Sequence, residues 1–365
     1  MTKIPVGVLG ATGMVGQQYL SLLANHPWFE VRYVAASPRS AGKTYKEAAA
    51  GRWHHAANPD EAVWDLTVQD ANDVSRALDA NRRGDCAFVF SALEMGKDEI
   101  KALEEAYAAA GIPVVSNASA HRWTDDVPML IGEVNSSHID IIPIQRKNRR
   151  WDRGFIVVKP NCSVQSYVTP LYALIEAGYE VKRLVVTTLQ AVSGAGYPGV
   201  ASLDILDNTI PYINGEEEKS EQEPLKILGS VSENAIVNAA EPRISAHCNR
   251  VPVSDGHSAC VSLEFGSRKP SVEEVKKIWS SFRGLPQELQ LPTAPGRPII
   301  VREEADRPQA KKDRDADKAM AISAGRIRPC PVLDLRFVGL SHNTVRGAAG
   351  GGILNAELLK SRGYI

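Results

Sequence analysis

The sequence predicts a two-part α/β protein: a parallel, doubly wound sheet first, then a strand-rich α+β part. Three observations predict it. Over residues 1–120 short apolar runs alternate with helical spacing, the rhythm of right-handed strand-helix-strand crossovers. A glycine-rich turn, Gly10-x-x-Gly13-x-x-Gly16, joins the first apolar run to the first helical stretch. After residue 155 the runs lengthen, gain β-branched residues and are separated by irregular segments.

The elements follow in order. IPVGVLG (4–10) reads as a buried strand and MVGQQYLSLLANH as the helix after it. FEVRYVAAS (29–37), CAFVFSAL (86–93) and IPVVSNAS (112–119) are further strands. Between the last two, DEIKALEEAYAAAG has apolar residues at helical spacing and stops on Gly111, a C-cap residue. FIVVKP is then a strand, CSVQSYVTPLYALIEAG a helix and VKRLVVTTLQAVS a long strand. HSACVSLEFG and VLDLRFVGL alternate as strands of a large, mostly antiparallel sheet. The charged run REEADRPQAKKDRDADK (302–318) lacks apolar periodicity and reads as a solvated loop. The final NTVRGAAGGGILNAELLKSRG resumes helical spacing and is expected to return to the first part. The expected division is 1–158, completed by a C-terminal helix over 343–365, and 159–342.

Composition narrows the function. With 365 residues, 44% hydrophobic and 23% charged, and a net charge of -1, nothing points to nucleic acid. No run of apolar residues is long enough to span a membrane. The start MTKIPVGVLGATG has none of the features of a signal peptide. Five widely spaced cysteines without a CxxC pair fit reduced thiols, so a cytoplasmic location is expected. His54-His55 is the one histidine cluster, and no spacing matches a metal site.

The glycine turn sits where a dinucleotide needs it. Glycines let the chain turn sharply and let a pyrophosphate approach the amides at a helix start. Any tight strand-helix corner can use glycine, but this one follows the first strand and opens the first helix. It makes Gly10, Thr12, Gly13, Met14 and Val15 candidates of a Rossmann-like cofactor site. At the end of the second strand Ser37, Arg39, Ser40 and Lys43 stand where NAD enzymes usually carry an acid. Hydroxyls and cations there suit a 2′-phosphate and favour NADP.

KPNCSVQ (159–165) places Cys162 between a strand and a predicted helix. A thiol at a helix start feels the positive end of the dipole, which lowers its pKa. Position alone still favours an inert buried thiol, the reading given to the other four cysteines. HCNRVPVSDGHSACVSLEF adds Arg250 and His257 just before a strand, which supply a cation and an acid/base candidate.

Together these segments resemble the aspartate-β-semialdehyde dehydrogenases over nearly the whole chain. The resemblance runs through GATGMVG, NASAHRW (117–123), KPNCSVQ, LQAVSGAGYPG (189–199), INGEEEK (213–219), NRVPVSDGH (249–257) and NTVRGAAGGG. RPQ at 307–309 and GEEEK are similar to the archaeal and fungal branch. The resemblance implies a dinucleotide-binding domain and a catalytic and dimerisation domain. It implies NADP- and phosphate-dependent interconversion of L-aspartate-4-semialdehyde and L-4-aspartyl phosphate. That reaction serves the biosynthesis of lysine, methionine, threonine and isoleucine.

By motif position, Cys162 matches the nucleophile, His257 the acid/base and Gln190 a substrate-orienting residue. Arg250 matches the holder of the substrate carboxylate, with Asn161 beside the nucleophile. Glu216, or its neighbour Glu217, pairs with Lys219 for the substrate amine and the phosphate, and Arg122 adds a second phosphate cation. Ser91, Ala92, Ser193, Gly194 and Asn343 match cofactor contacts. The small-molecule substrate and inorganic phosphate are the implied ligands, and a homodimer or homotetramer the implied assembly.

Three other readings compete with this one. N-acetyl-γ-glutamyl-phosphate reductase has an acylated substrate nitrogen, so the acid of GEEEK argues against it. Malonyl-CoA reductase resembles the archaeal branch and is separated by assay. An NADP-binding redox sensor would have no use for the base, the glutamine and both anion sites.

Overall fold

The computed structural model describes residues 2–365. The first sheet has six parallel strands, β1 (Ile4–Leu9), β2 (Phe29–Ala36), β3 (Gln69–Asp70), β4 (Phe88–Ser91), β5 (Val114–Ser116) and β6 (Ile156–Val158). Their order, β3-β2-β1-β4-β5-β6, is the doubly wound dinucleotide-binding order, with its switch point between β1 and β4. Register runs from Leu9 opposite Ala35 on one side to Leu9 opposite Ser91 on the other. The strands are nearly continuous apolar runs because helices cover both faces.

The last helix, Gly350–Ser361, is one of those covers. It packs on β5 and on the first helix, Met14–Leu23, and buries Ile353, Leu354, Leu358 and Leu359. Each such side chain contributes roughly 1.5–3 kcal/mol when removed from water. They join Val6, Val8, Phe88 and Phe90 in one core cluster.

The second sheet is built from β7 (Val181–Gln190), β10 (Arg243–Arg250), β11 (His257–Phe265), β12 (Ile299–Arg302), β13 (Ile322–Pro329) and β14 (Leu335–Ser341). A small hairpin, β8 (Ser230–Val231) and β9 (Ile236–Val237), stands apart. The order is β10-β7-β11-β14-β13-β12. As expected, the sheet is mostly antiparallel, through β7–β11, β11–β14 and β13–β14, while both outer pairs, β10–β7 and β12–β13, are parallel. The inward residues of β7, β11 and β14 alternate (Leu184, Val186, Val261, Leu263, Phe337) and face a helical layer that includes Trp279.

Two local expectations change. The helix read from Cys162 onward is broken: a 3-10 turn spans Ser163–Ser166, and the α-helix is Val168–Glu176. Asn161 Oδ1 accepts both the amide and the hydroxyl of Ser163 at 2.8 Å, and Ser166 Oγ donates to Ser163 O. Such side-chain bonds compete with the helical ladder. The 302–318 run is also more than a solvated loop, since Asp313 is buried, accepts from Arg307 and the Gln309 amide, and is ion-paired with Arg302.

Candidate active site

Four strand ends of the second sheet converge on one point. Gln190 ends β7 and Arg250 ends β10, and the two are register partners. His257 opens β11, and its partner Ser341 ends β14, which leads to His342 and Asn343. Cys162 arrives from the other side, four residues beyond the end of edge strand β6. The topology thus brings together residues that lie 95 positions apart in sequence.

Cys162 Sγ is 3.3 Å from His257 Nε2. The thiol is half-buried and the imidazole fully buried. Burial, and then the nearby Arg250 and His342, push His257 down to about 3, so the ring is neutral at physiological pH. Its Nδ1 accepts the Ala191 amide at 3.1 Å.

The thiol departs from the sequence expectation of a lowered pKa. Burial, followed by the Glu216 carboxylate, pushes Cys162 up to about 11, against the pull of Lys159, Arg122 and Arg250. Burial and the Glu216 charge meet little opposition from a helix dipole, because the α-helix starts only at Val168 and the effect fades beyond the first turn.

Around this pair lies a buried polar network. Glu216 Oε1 accepts Asn161 Nδ2 at 2.8 Å and Lys219 Nζ at 2.7 Å, while Oε2 accepts Gln190 Nε2 at 3.2 Å. Glu217 turns away and accepts the Cys248 amide. Arg250 NH1 donates to Ala191 O at 2.7 Å. Arg122 donates to Lys159 O, Asn117 O and Glu223 Oε1.

Sequence reasoning missed Glu223, although its seven-residue spacing from Glu216 puts both acids on one helix face. It also missed Lys159, buried to 1% exposure with Nζ donating to Pro160 O at 3.2 Å, which burial holds down at about 7.

A cleft of about 290 Å³ reaches the thiol. Cys162, Asn161, Arg122, Met14, Val15, Ser193, Gly194 and Asn343 are in its wall. Asn343 is fixed at both ends, Nδ2 donating to Ser193 Oγ and Oδ1 accepting the Gly256 amide, both at 2.8 Å. Gln190, Lys219, Arg250 and His257 stand behind this wall, in the network just described. Tyr197 of the same cleft stacks on His54 with ring centroids 3.8 Å apart.

A second cleft, at the switch point, is lined by Gly10, Thr12, Gly13, Ser37 and Ala92. Glu94, unnoticed in the sequence, lines both clefts. Gly10 has φ +74°, and a Cβ there would come within 2.2 Å of Ala92 O. Gly13 caps the first helix without a side-chain acceptor. This bare backbone cradle at a helix start fits a pyrophosphate, so the residues present suit a dinucleotide.

Arg39 and Lys43 are exposed on the turn after β2, and Ser40 is buried beside them. Ser91 does not join the cleft. Its hydroxyl points into the core and donates to Glu104 Oε1 at 2.6 Å, because strand alternation turns it toward the covering helix. Among the described residues no His, Cys, Asp and Glu group is arranged to hold a metal, and no helix is long and apolar enough to cross a membrane.

Comparison with known proteins matches these two halves. Family models described as "Semialdehyde dehydrogenase, NAD binding domain" and "Semialdehyde dehydrogenase, dimerisation domain" match residues 5–142 and 171–346. An aspartate-semialdehyde dehydrogenase of Archaeoglobus fulgidus is 47% identical over 98% of each chain. The Schizosaccharomyces pombe enzyme of that name is 42% identical over 99% of each. A crystal structure of the Candida albicans aspartate semialdehyde dehydrogenase with NADP superposes with a TM-score of 0.89, at 42% identity and full coverage of both chains. The relatives are archaeal and fungal, the branch that RPQ and GEEEK resemble. Its glycine cradle, its cysteine and histidine pair and its full-length likeness agree: the chain belongs to the aspartate-semialdehyde dehydrogenase family.

Proposed function

We propose that the protein interconverts L-aspartate-4-semialdehyde and L-4-aspartyl phosphate with NADP and inorganic phosphate. The reaction passes through a thioester on Cys162 and serves synthesis of lysine, methionine, threonine and isoleucine. The observation that carries this reading is the 3.3 Å contact between Cys162 Sγ and His257 Nε2 beside the cleft. Such a pair is what covalent catalysis on an aldehyde requires.

NADP, held by the Gly10–Val15 turn with Ala92, Ser193, Gly194 and Asn343, supplies the hydride acceptor when bound. Ser37, Arg39, Ser40 and Lys43 are the residues for its 2′-phosphate. Cys162 adds to the aldehyde carbon, and His257 faces the oxygen of the adduct. Loss of hydride leaves a thioester, which keeps its activation until phosphate displaces the sulfur.

Arg250 uses one N–H on Ala191 O and has the rest of its fork for the substrate carboxylate. Glu216 takes the substrate ammonium, while Gln190 and Asn161 hold that carboxylate in place. Lys219 and Arg122 meet the phosphate. The working unit is a cytoplasmic homodimer or homotetramer joined through the second domain.

The test is NADPH formation from L-aspartate-4-semialdehyde with and without phosphate. Turnover that ignores phosphate, that runs equally well on NAD, or that is confined to malonyl-CoA would overturn the assignment.

A further inference from the structure

We propose that the stacked rings of His54 and Tyr197 form a strap across the cleft that leads to Cys162. The strap holds the nicotinamide half of a bound dinucleotide in place. The proposal rests on the NADP reading above and adds two positioning residues to it.

The two rings come from different domains. His54 follows the short helix Tyr45–Ala49 of the first, and Tyr197 follows β7 and the Val192–Ala195 turn of the second. Their centroids are 3.8 Å apart and their planes 18° from parallel. Both residues are exposed, and neither ring belongs to a hydrophobic core.

Each ring is tied to residues that line the cleft. The His54 amide donates to Gln17 Oε1 at 3.0 Å, and Gln17 Nε2 donates to Thr12 O at 3.0 Å and Arg52 O at 2.7 Å. The neighbouring His55 Nε2 donates to Met14 O at 3.0 Å. The loop that carries His54 is therefore laced to the glycine turn that fits a pyrophosphate. On the other side Tyr197 continues the segment from Ser193, and the whole segment lines the cleft with Met14 and Val15. That segment is anchored in turn, the Ser193 amide on Ser254 O and Ser193 Oγ on Asn343 Nδ2.

The tyrosine side can swing. Gly196 and Gly199 flank Tyr197-Pro198 with φ +71° and +86°. A Cβ at either would meet no atom beyond its chain neighbours closer than 3.7 Å, so glycine serves the backbone there and not the packing. These two joints let the ring leave His54 while Ser193 stays fixed.

A dinucleotide seated on the glycine turn with its nicotinamide beside Cys162 runs along this cleft, between the segments that the strap joins. Its adenine half belongs to the other cleft, lined by Gly10, Thr12 and Ser37, in which neither ring takes part. An aromatic pair of this kind is worth roughly two- to tenfold in an equilibrium. That is enough to slow release and weak enough to part on every turnover.

Stopped-flow release of NADPH, followed by its fluorescence, and equilibrium binding test this. His54→Ala and Tyr197→Ala should each raise the NADPH dissociation rate and Kd about two- to tenfold, with melting temperatures unchanged. The double variant should be no worse than either single one, because each removes the same contact. His54→Phe keeps a ring to stack and should release NADPH at close to the native rate. 2′,5′-ADP has the adenine half with its 2′-phosphate and no nicotinamide, so its Kd should stay native in every variant. Native release rates in the alanine variants, additive losses in the double variant, or 2′,5′-ADP weakened as much as NADPH would overturn the strap. A native enzyme that binds no NADPH overturns the cofactor reading itself, whereas native binding that both alanine variants retain overturns this proposal alone.

Discussion

Gly347 lies against Cys162 so closely that a Cβ added to it would stand 2.8 Å from the cysteine Cβ. The glycine belongs to the Val345–Ala349 turn, whose amide bond from Gly347 N to His342 O at 2.8 Å holds it in place. A side chain here must push Cys162, because a Cβ contact that short cannot stand without a shift. Displacement of a reacting group by about 1 Å costs up to roughly 10² in rate. Gly347→Ala should therefore lower kcat between about ten- and a hundredfold with little change in melting temperature. Steady-state kinetics beside a thermal melt checks this, and an unchanged kcat would show that the cysteine yields without consequence.

Glu223 ties Arg122, which we propose meets the phosphate, to the loop that carries Cys162. Its Oε1 accepts Arg122 NH1 at 2.9 Å and its Oε2 the Asn161 amide at 2.6 Å, both buried. Breaking a buried ion pair on one side costs about 3–5 kcal/mol, because the remaining charge is left uncompensated. Glu223→Ala should lose stability on that order and raise the phosphate KM, since Arg122 loses the partner that orients it. Chemical denaturation and phosphate saturation curves test the two effects. A variant with native phosphate KM would separate Arg122 from the phosphate site.

What the sequence made legible follows the range over which each signal acts. The glycine turn and the apolar strands are local, so Gly10 and β1 could be read directly. Cys162 was legible as a position, but the environment of its thiol was not. Glu216 raises that thiol from 54 residues away, and the Asn161 side chain breaks the helix meant to lower it.

Asp313 hid inside a run rich in its own counter-charges, where composition reads as solvation although Arg302 and Arg307 enclose it. Ser91 was assigned by resemblance to the cofactor. Its actual partner, Glu104, lies 13 positions on, in the middle of a helix. The Ala191 amide leaves no trace in residue type at all.

Among the charges around Cys162, the carboxylate of Glu216 raises the thiol most. A ligand ammonium placed against Glu216 would cancel that effect, and so would neutralising the residue. Glu216→Gln should shift the pH profile of Cys162 alkylation by iodoacetamide downward and speed the reaction at pH 8 several-fold. The same change should raise the KM for the amino-aldehyde if Glu216 is the acid partner of its amine, as proposed above. Alkylation at the native rate across pH 7–10 would contradict the electrostatic link.

Glu104 provides a test of the first domain that needs no substrate. Its side chain is fully buried on the helix Lys97–Ala109, with Oε1 accepting Ser91 and Ser116 hydroxyls at 2.6 Å and Oε2 without a hydrogen-bond partner. His121 Nε2 is 4.0 Å from Oε2, but burial pushes that imidazole down to about 4, so it offers no cation. Burial pushes Glu104 up to about 7 from 4.5, with the two serine hydroxyls only partly opposing.

Between those values the folded state binds more protons than the unfolded one, so stability falls as pH rises, by about 3 kcal/mol in all. Below pH 4.5 both states are protonated and the effect vanishes. Above pH 7 it is complete. Glu104→Gln removes the titration and keeps an acceptor for the serines, with any mismatch at the new amide appearing as a constant offset. The difference in urea midpoints between variant and native enzyme should therefore grow in the variant's favour from pH 5 to pH 8. Midpoints that move in parallel over that range would mean that Glu104 ionises in the core as readily as in water.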